Sequence, residues 1–146
     1  RERAERFSAR VKDLSEVLAE RPLTAPITEN VSGPITYDDP CHLCHGQGVR
    51  SEPRAILDQT GHERVELRDS ESCCGSAGIY SALRPKDAAL ILEPKLEALE
   101  SSGAKTLVTA NPGCQLQWQA GIKSRGLQVE VLHLAELLER SLEARN

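Results

Sequence analysis

The sequence predicts an α/β fold: a small three-layer domain around a mainly parallel sheet of about four strands, with an additional helix at its amino end. Two observations predict it. Short β-prone runs alternate with segments of helical spacing from Ile35 onward, which is the βαβ pattern. Gly61, Gly103 and Gly126 each stand just after a helical segment and shortly before the next β-prone run, where a helix wants a left-handed closing residue. With helices between them, consecutive strands should lie parallel in one sheet, a Rossmann-like winding.

Along the chain, residues 1–21 carry Phe7, Val11, Leu14 and Leu18 on one stripe among Arg, Lys and Glu, which predicts an amino-terminal helix. Residues 22–34 have three prolines, Asn30 and Gly33 without a sustained period, and read as a linker. The α/β domain is then expected over 35–146. Its strands are Ile35–Tyr37, Val65–Leu67, Thr106–Thr109 and Val129–Leu132. The longest helix, about Pro85 to Ser102, presents Ala88, Ile91, Leu92, Leu96 and Leu99 to one side, with Pro94 as a candidate kink. Trp118, on a helix with Leu116 and Ile122, reads as core.

Composition narrows the function classes. A net charge of -4, with basic residues scattered among acids, argues against a nucleic-acid surface. No apolar run approaches the roughly 20 residues that span a bilayer, so a cytoplasmic protein is expected. Five cysteines, an odd number with no mark of secretion, favour metal or thiol chemistry over a disulfide framework. The chain has no Met and opens on Arg-Glu-Arg, so a piece of a longer polypeptide is expected.

The cysteines gain meaning when placed on the predicted strands. Asp38-Asp39-Pro40-Cys41 follows the first, Ser70-Glu71-Ser72-Cys73-Cys74-Gly75 the second, and Asn111-Pro112-Gly113-Cys114 the third. The carboxyl ends of parallel strands face one way, and ligands bind in the crevice beside them. Cys41, Cys73, Cys74 and Cys114 should therefore converge as metal ligands, at turns where helix N-termini would favour their thiolates. Cys44 reads equally as a further ligand or as a small buried hydrophobe. His42 and His45 read as groups that orient the loops around the site, and His133 as a capping histidine rather than a ligand. Asp38 and Asp39 read as helix-start acids at least as readily as functional carboxylates.

Pro40-Cys41-His42-Leu43, Cys73-Cys74-Gly75 and Asn111-Pro112-Gly113-Cys114 together resemble the cysteine-rich CCG domain, found in heterodisulfide reductase subunits, lactate-utilisation proteins and the iron–sulfur subunit of glycolate oxidase. His45-Gly46-Gln47-Gly48-Val49-Arg50, Ser76-Ala77-Gly78-Ile79-Tyr80 and Val129-Glu130-Val131-Leu132-His133 are most similar to the last of these, in its carboxyl-terminal domain. Thirty-one residues separate Cys41 from Cys73 and thirty-nine separate Cys74 from Cys114, spacings that fit the family. The family's last cysteine, however, falls on Gln117. The resemblance implies an iron–sulfur cluster, non-cubane in relatives with two complete motifs; for the four thiolates of this chain a [4Fe–4S] cluster is expected, which an isolated piece can lose. It also implies an upstream ferredoxin-like domain of the same polypeptide and a flavin-containing partner subunit, with peripheral placement at the inner membrane through that complex. Lacking a flavin site or a nucleotide-binding glycine fingerprint, the chain is not expected to oxidise glycolate by itself.

Two other readings use the same thiols. A structural Zn²⁺ could tie the loops together through tetrahedral thiolate coordination. A thiol–disulfide protein could use Cys73-Cys74, or the Cys-x-x-Cys formed by Cys41 and Cys44, although it would leave Cys114 without a role.

Overall fold

The computed structural model describes residues 1–21, 23 and 31–142. Most of the expected linker therefore lies outside the described residues. Among the described residues the sheet has three parallel strands in the order β1 (Ile35–Asp38), β2 (Thr106–Thr109) and β3 (Glu130–His133). Pairing is in register, Asp38 opposite Thr109 and Thr109 opposite His133, so the carboxyl ends form one rim.

The expected strand at Val65–Leu67 does not form. Its start follows β1, with Ile35 N–H donating to Glu63 O at 2.8 Å and Val65 N–H to Ile35 O at 2.9 Å, but only one bridge results. Thr36 Oγ1 then donates to the Val65 carbonyl at 2.8 Å, taking the acceptor that the next rung would use. The sheet has three strands for that reason, not four.

Alternation along the strands makes the layers. Ile35 and Tyr37 of β1, Val108 of β2 and Leu132 of β3 join one core cluster, built with α3 (Ser51–Gln59) and α7 (Leu134–Leu142). Leu107 and Val131 face the opposite layer, where α5 (Pro85–Ser102) and α6 (Pro112–Arg125) supply Leu92, Leu96, Leu99, Trp118 and Ile122. Trp118 is fully buried, as its helical context predicts. On α5 the stripe differs by one residue: Ile91 is exposed, and Lys95 takes a place among the buried apolar positions. Gly103 and Gly126 close α5 and α6 in the left-handed conformation, as expected of residues that turn a helix back toward a strand.

The amino-terminal helix is two short helices, α1 (Glu2–Ser8) and α2 (Leu14–Ala19). Asp13 explains the break, because its side chain caps α2 while Glu16 reaches back to the Asp13 N–H at 2.7 Å. The predicted stripe is consequently split: Leu18 packs toward the core, whereas Phe7, Val11 and Leu14 are exposed. A further short helix, α4 (Tyr80–Leu83), precedes α5. No described helix is long and apolar enough to cross a membrane.

Candidate metal centre

Cys41 leaves β1 after Asp38-Asp39-Pro40 and opens a six-residue π-helix, His42–Gln47, instead of an α-helix. The wider turn ends at Gly48, which is left-handed. Cys114 lies in the first turn of α6, where its N–H is accepted by the Asn111 side chain at 3.1 Å. Cys73 and Cys74 come on an irregular loop held against both neighbours. Asp39 N–H donates to Ser70 O at 3.2 Å, and Ser70 Oγ donates to Asp39 Oδ2 at 2.6 Å. Arg54 of α3 closes this knot with two 2.7 Å bonds to the Asp39 carboxylate. Asp39 thus fixes the loop, and neither it nor Asp38, the last residue of β1, starts a helix.

These anchors bring four thiols to one rim. Burial raises the Cys41 pKa, and the neighbouring Cys73 and Cys74 raise it further against the His42 N–H. A hydrogen bond from Cys114 lowers the Cys74 pKa, despite burial, with further help from the Ser76 N–H and Lys95. The same bond, together with burial and the proximity of Asp38 and Cys41, drives the Cys114 thiol well above the ordinary range. Of the expected lowered thiols, Cys74 is lowered, whereas Cys41 and Cys114 are raised. Cys73-Cys74 does not lead directly into a helix.

Main-chain donors also converge on the sulfurs, Gly75 N–H reaching Cys73 Sγ at 3.4 Å. Cys74 and Cys114 are buried, while Cys41 and Cys73 are half-buried. All five cysteines are free thiols. Among the described residues, no three His, Cys, Asp or Glu side chains are assembled around the position of a single metal ion.

The remaining candidates separate from this group. Cys44 is buried one turn beyond Cys41, and its Sγ donates to Glu71 Oε2 at 3.6 Å. His45 Nε2 donates to the Glu71 carbonyl at 3.0 Å, and Arg50 pairs with the Glu71 carboxylate. His42 Nε2 accepts from Asn111 Nδ2 at 2.9 Å, joining the first cysteine loop to the third. His133 caps α7, its Nδ1 accepting from Ala135 N–H at 3.2 Å. Gln117 donates to the Ala88 carbonyl of α5 at 3.2 Å and lines a groove of about 640 Å³ between α5 and α6.

Sequence reasoning missed Lys95 and Arg54. Lys95 sits three residues after Leu92 and four before Leu99, on the face that the helix buries. That periodicity was the available signal.

Residues 35–119 match the CCG cysteine-rich domain. The chain belongs to this family. Similar proteins include the probable glycolate oxidase iron–sulfur subunit of Bacillus subtilis, 40% identical over 141 residues, 94% of this chain and 32% of that protein. A subunit of the CoM/CoB fumarate reductase of Methanothermobacter marburgensis is 37% identical over 131 residues, 88% of this chain and 27% of that protein. The Escherichia coli glycolate oxidase iron–sulfur subunit is 34% identical over 142 residues, 97% of this chain and 33% of that protein. The chain spans about a third of the length of these CCG-domain relatives.

Proposed function

We propose that this CCG domain is the cluster-holding module of an iron–sulfur electron-transfer protein, with Cys41, Cys73, Cys74 and Cys114 as the thiolate ligands. The observation that carries this reading is that Cys73 lies close enough to Cys41, and Cys114 to Cys74, to shift the neighbouring thiol's ionisation at one rim of the sheet. The donor set suits such a group. Thiolates are the standard ligands of iron–sulfur clusters, and N–H donors at His42, Gly75 and Ser76 can share the sulfurs' negative charge. When bound, the cluster supplies a one-electron carrier.

The chain's own residues provide the rest. Asn111 with His42, Ser70 with Asp39, and Arg54 with Asp39 hold three cysteine loops in fixed relation before any metal arrives. Burial of Cys74 and Cys114 keeps that side of the site dry. Adjacent cysteines suit a multi-iron group better than a closed tetrahedral Zn²⁺ site, because neighbouring side chains can reach two different irons. A [4Fe–4S] cluster is the form proposed. By likeness to the relatives' names, the wider assembly proposed is an oxidoreductase that acts on a small hydroxy acid; a ferredoxin-like domain of the same polypeptide and a flavin-containing subunit are the partners proposed for this module.

Anaerobic reconstitution tests the reading. The expected product carries iron and acid-labile sulfide with broad absorption near roughly 400 nm, lost when any of the four cysteines becomes serine. One equivalent of zinc with no iron or sulfide uptake would establish the structural-zinc alternative.

A further inference from the structure

Lys95 is buried, only 2% exposed, in the layer that carries Trp118. Its ammonium donates to the carbonyls of Asp69 at 3.1 Å, Ser70 at 2.9 Å and Ser72 at 2.8 Å. These three bonds use all its hydrogens. Asp38 Oδ1 lies 2.8 Å from the same ammonium as an ion pair, so the two buried charges balance each other. The Trp118 ring lies against the same ammonium, 5.9 Å from centroid to Nζ.

The three carbonyls belong to the segment that delivers Cys73 and Cys74. It opens at Asp69 with φ of 55°, a left-handed conformation that a non-glycine residue holds only where its surroundings impose it. Ser72 is adjacent to Cys73. Asp38 is the last residue of β1, three before Cys41. One side chain on α5 therefore ties two cysteine-bearing segments together and places a positive charge beneath them. Closing the core alone does not call for an ammonium, since an unbranched apolar side chain would fill the same space without desolvating a charge.

We propose that Lys95 is a positioning residue for the Cys73–Cys74 pair, fixing the loop through its carbonyls and, with Asp38, setting the electrostatic environment of whatever the thiolates hold. The electrostatic half rests on the iron–sulfur reading; the positioning half does not. Reduction adds negative charge to a cluster. A buried cation favours the reduced form, and a buried carboxylate opposes it. Changing a unit charge within roughly 10 Å at an effective dielectric of about 20 alters a one-electron equilibrium on the order of tenfold, which corresponds to about 59 mV.

The test compares this chain with K95M and D38N, after circular dichroism has confirmed folding. In metal-free protein, alkylation by iodoacetamide is followed at each cysteine by mass spectrometry. K95M should label Cys73 roughly tenfold faster, with Cys44 unchanged, while D38N keeps the carbonyl contacts and stays near wild type at Cys73. After anaerobic reconstitution, K95M should lower the midpoint potential and D38N should raise it, opposite signs that a general loosening of the fold cannot produce. Failure of the wild type to take up iron and sulfide would refute the iron–sulfur reading and leave the alkylation result to decide positioning. Equal alkylation rates and equal potentials in all three proteins would overturn the proposal. If K95M does not fold, D38N decides the electrostatic half, and an unchanged potential overturns it.

Discussion

Replacing Gly75 with alanine asks whether the Cys73–Cys74 loop is seated directly on the backbone of α5. Gly75 has φ of 85°, and a Cβ there would lie 2.6 Å from the Ala88 carbonyl oxygen and 3.2 Å from its Cα. Two costs add. Holding an L-residue in the left-handed region costs about 1–2 kcal/mol, and forcing a methyl against main-chain atoms that cannot swing aside costs about 1–3 kcal/mol. Gly61 separates them: its φ is 70°, but a Cβ would meet nothing within 4 Å. Urea unfolding of the metal-free chain should therefore show G61A losing about 1–2 kcal/mol and G75A about 2–5 kcal/mol. The excess of G75A over G61A measures the close approach. Equal losses for the two variants would refute a loop packed on the helix, and with it the seating assigned to Cys73 and Cys74.

Other outcomes follow from the same geometry. Gln117 points into the α5–α6 groove and bonds the Ala88 carbonyl, so Q117C should leave the iron-to-protein ratio of reconstituted protein unchanged, and extra iron would show that position 117 reaches the thiols. Cys44 binds Glu71 and lies outside the converging set, so C44A should retain the 400 nm absorption that C74S loses. Burial pushes the Asp39 carboxyl upward, but hydrogen bonds from Arg54 and Ser70 and the Arg54 charge outweigh it and hold its pKa below the ordinary value. The stability this gives metal-free protein is present above the unfolded carboxylate pKa of about 4 and is lost as pH falls through the lower folded value. Urea midpoints measured from pH 6 down to pH 3 should show that loss, and R54M should flatten it. Trp118 is the chain's one tryptophan and is buried in the same cluster as Cys74 and Cys114, so its fluorescence should be quenched on reconstitution.

The parallel arrangement and the gathering of Cys41, Cys73, Cys74 and Cys114 were legible because both depend on order along the chain. Glycines at the closing turns and cysteines after β-prone runs place the loops on one rim without knowledge of any side-chain contact. What escaped depends on particular atoms. Val65–Leu67 has the composition of a strand, yet a threonine hydroxyl on the adjacent strand takes its carbonyl and ends the ladder. The amphipathic stripe through Phe7, Val11, Leu14 and Leu18 is real in spacing, but Asp13 starts a new helix in its midst. Lys95 was hidden by its type. Periodicity assigns the position to the interior, whereas average behaviour assigns lysine to water, and only Asp38 and three carbonyls decide between them.

The uniform polarity of β1, β2 and β3 has a practical meaning for anyone altering this molecule. The connections that carry Cys41 and Cys114 depart from the exits of β1 and β2, whereas the strands' entrances are joined by plain main-chain bonds, Lys105 N–H to Pro34 O at 2.8 Å and Glu130 N–H to Lys105 O at 2.9 Å. Affinity tags, fluorophores or lengthened turns belong at that quiet end, near Gly126 and Gln128. Grafts there would sit a full strand length from the sulfurs, leaving assembly chemistry and engineering on separate poles.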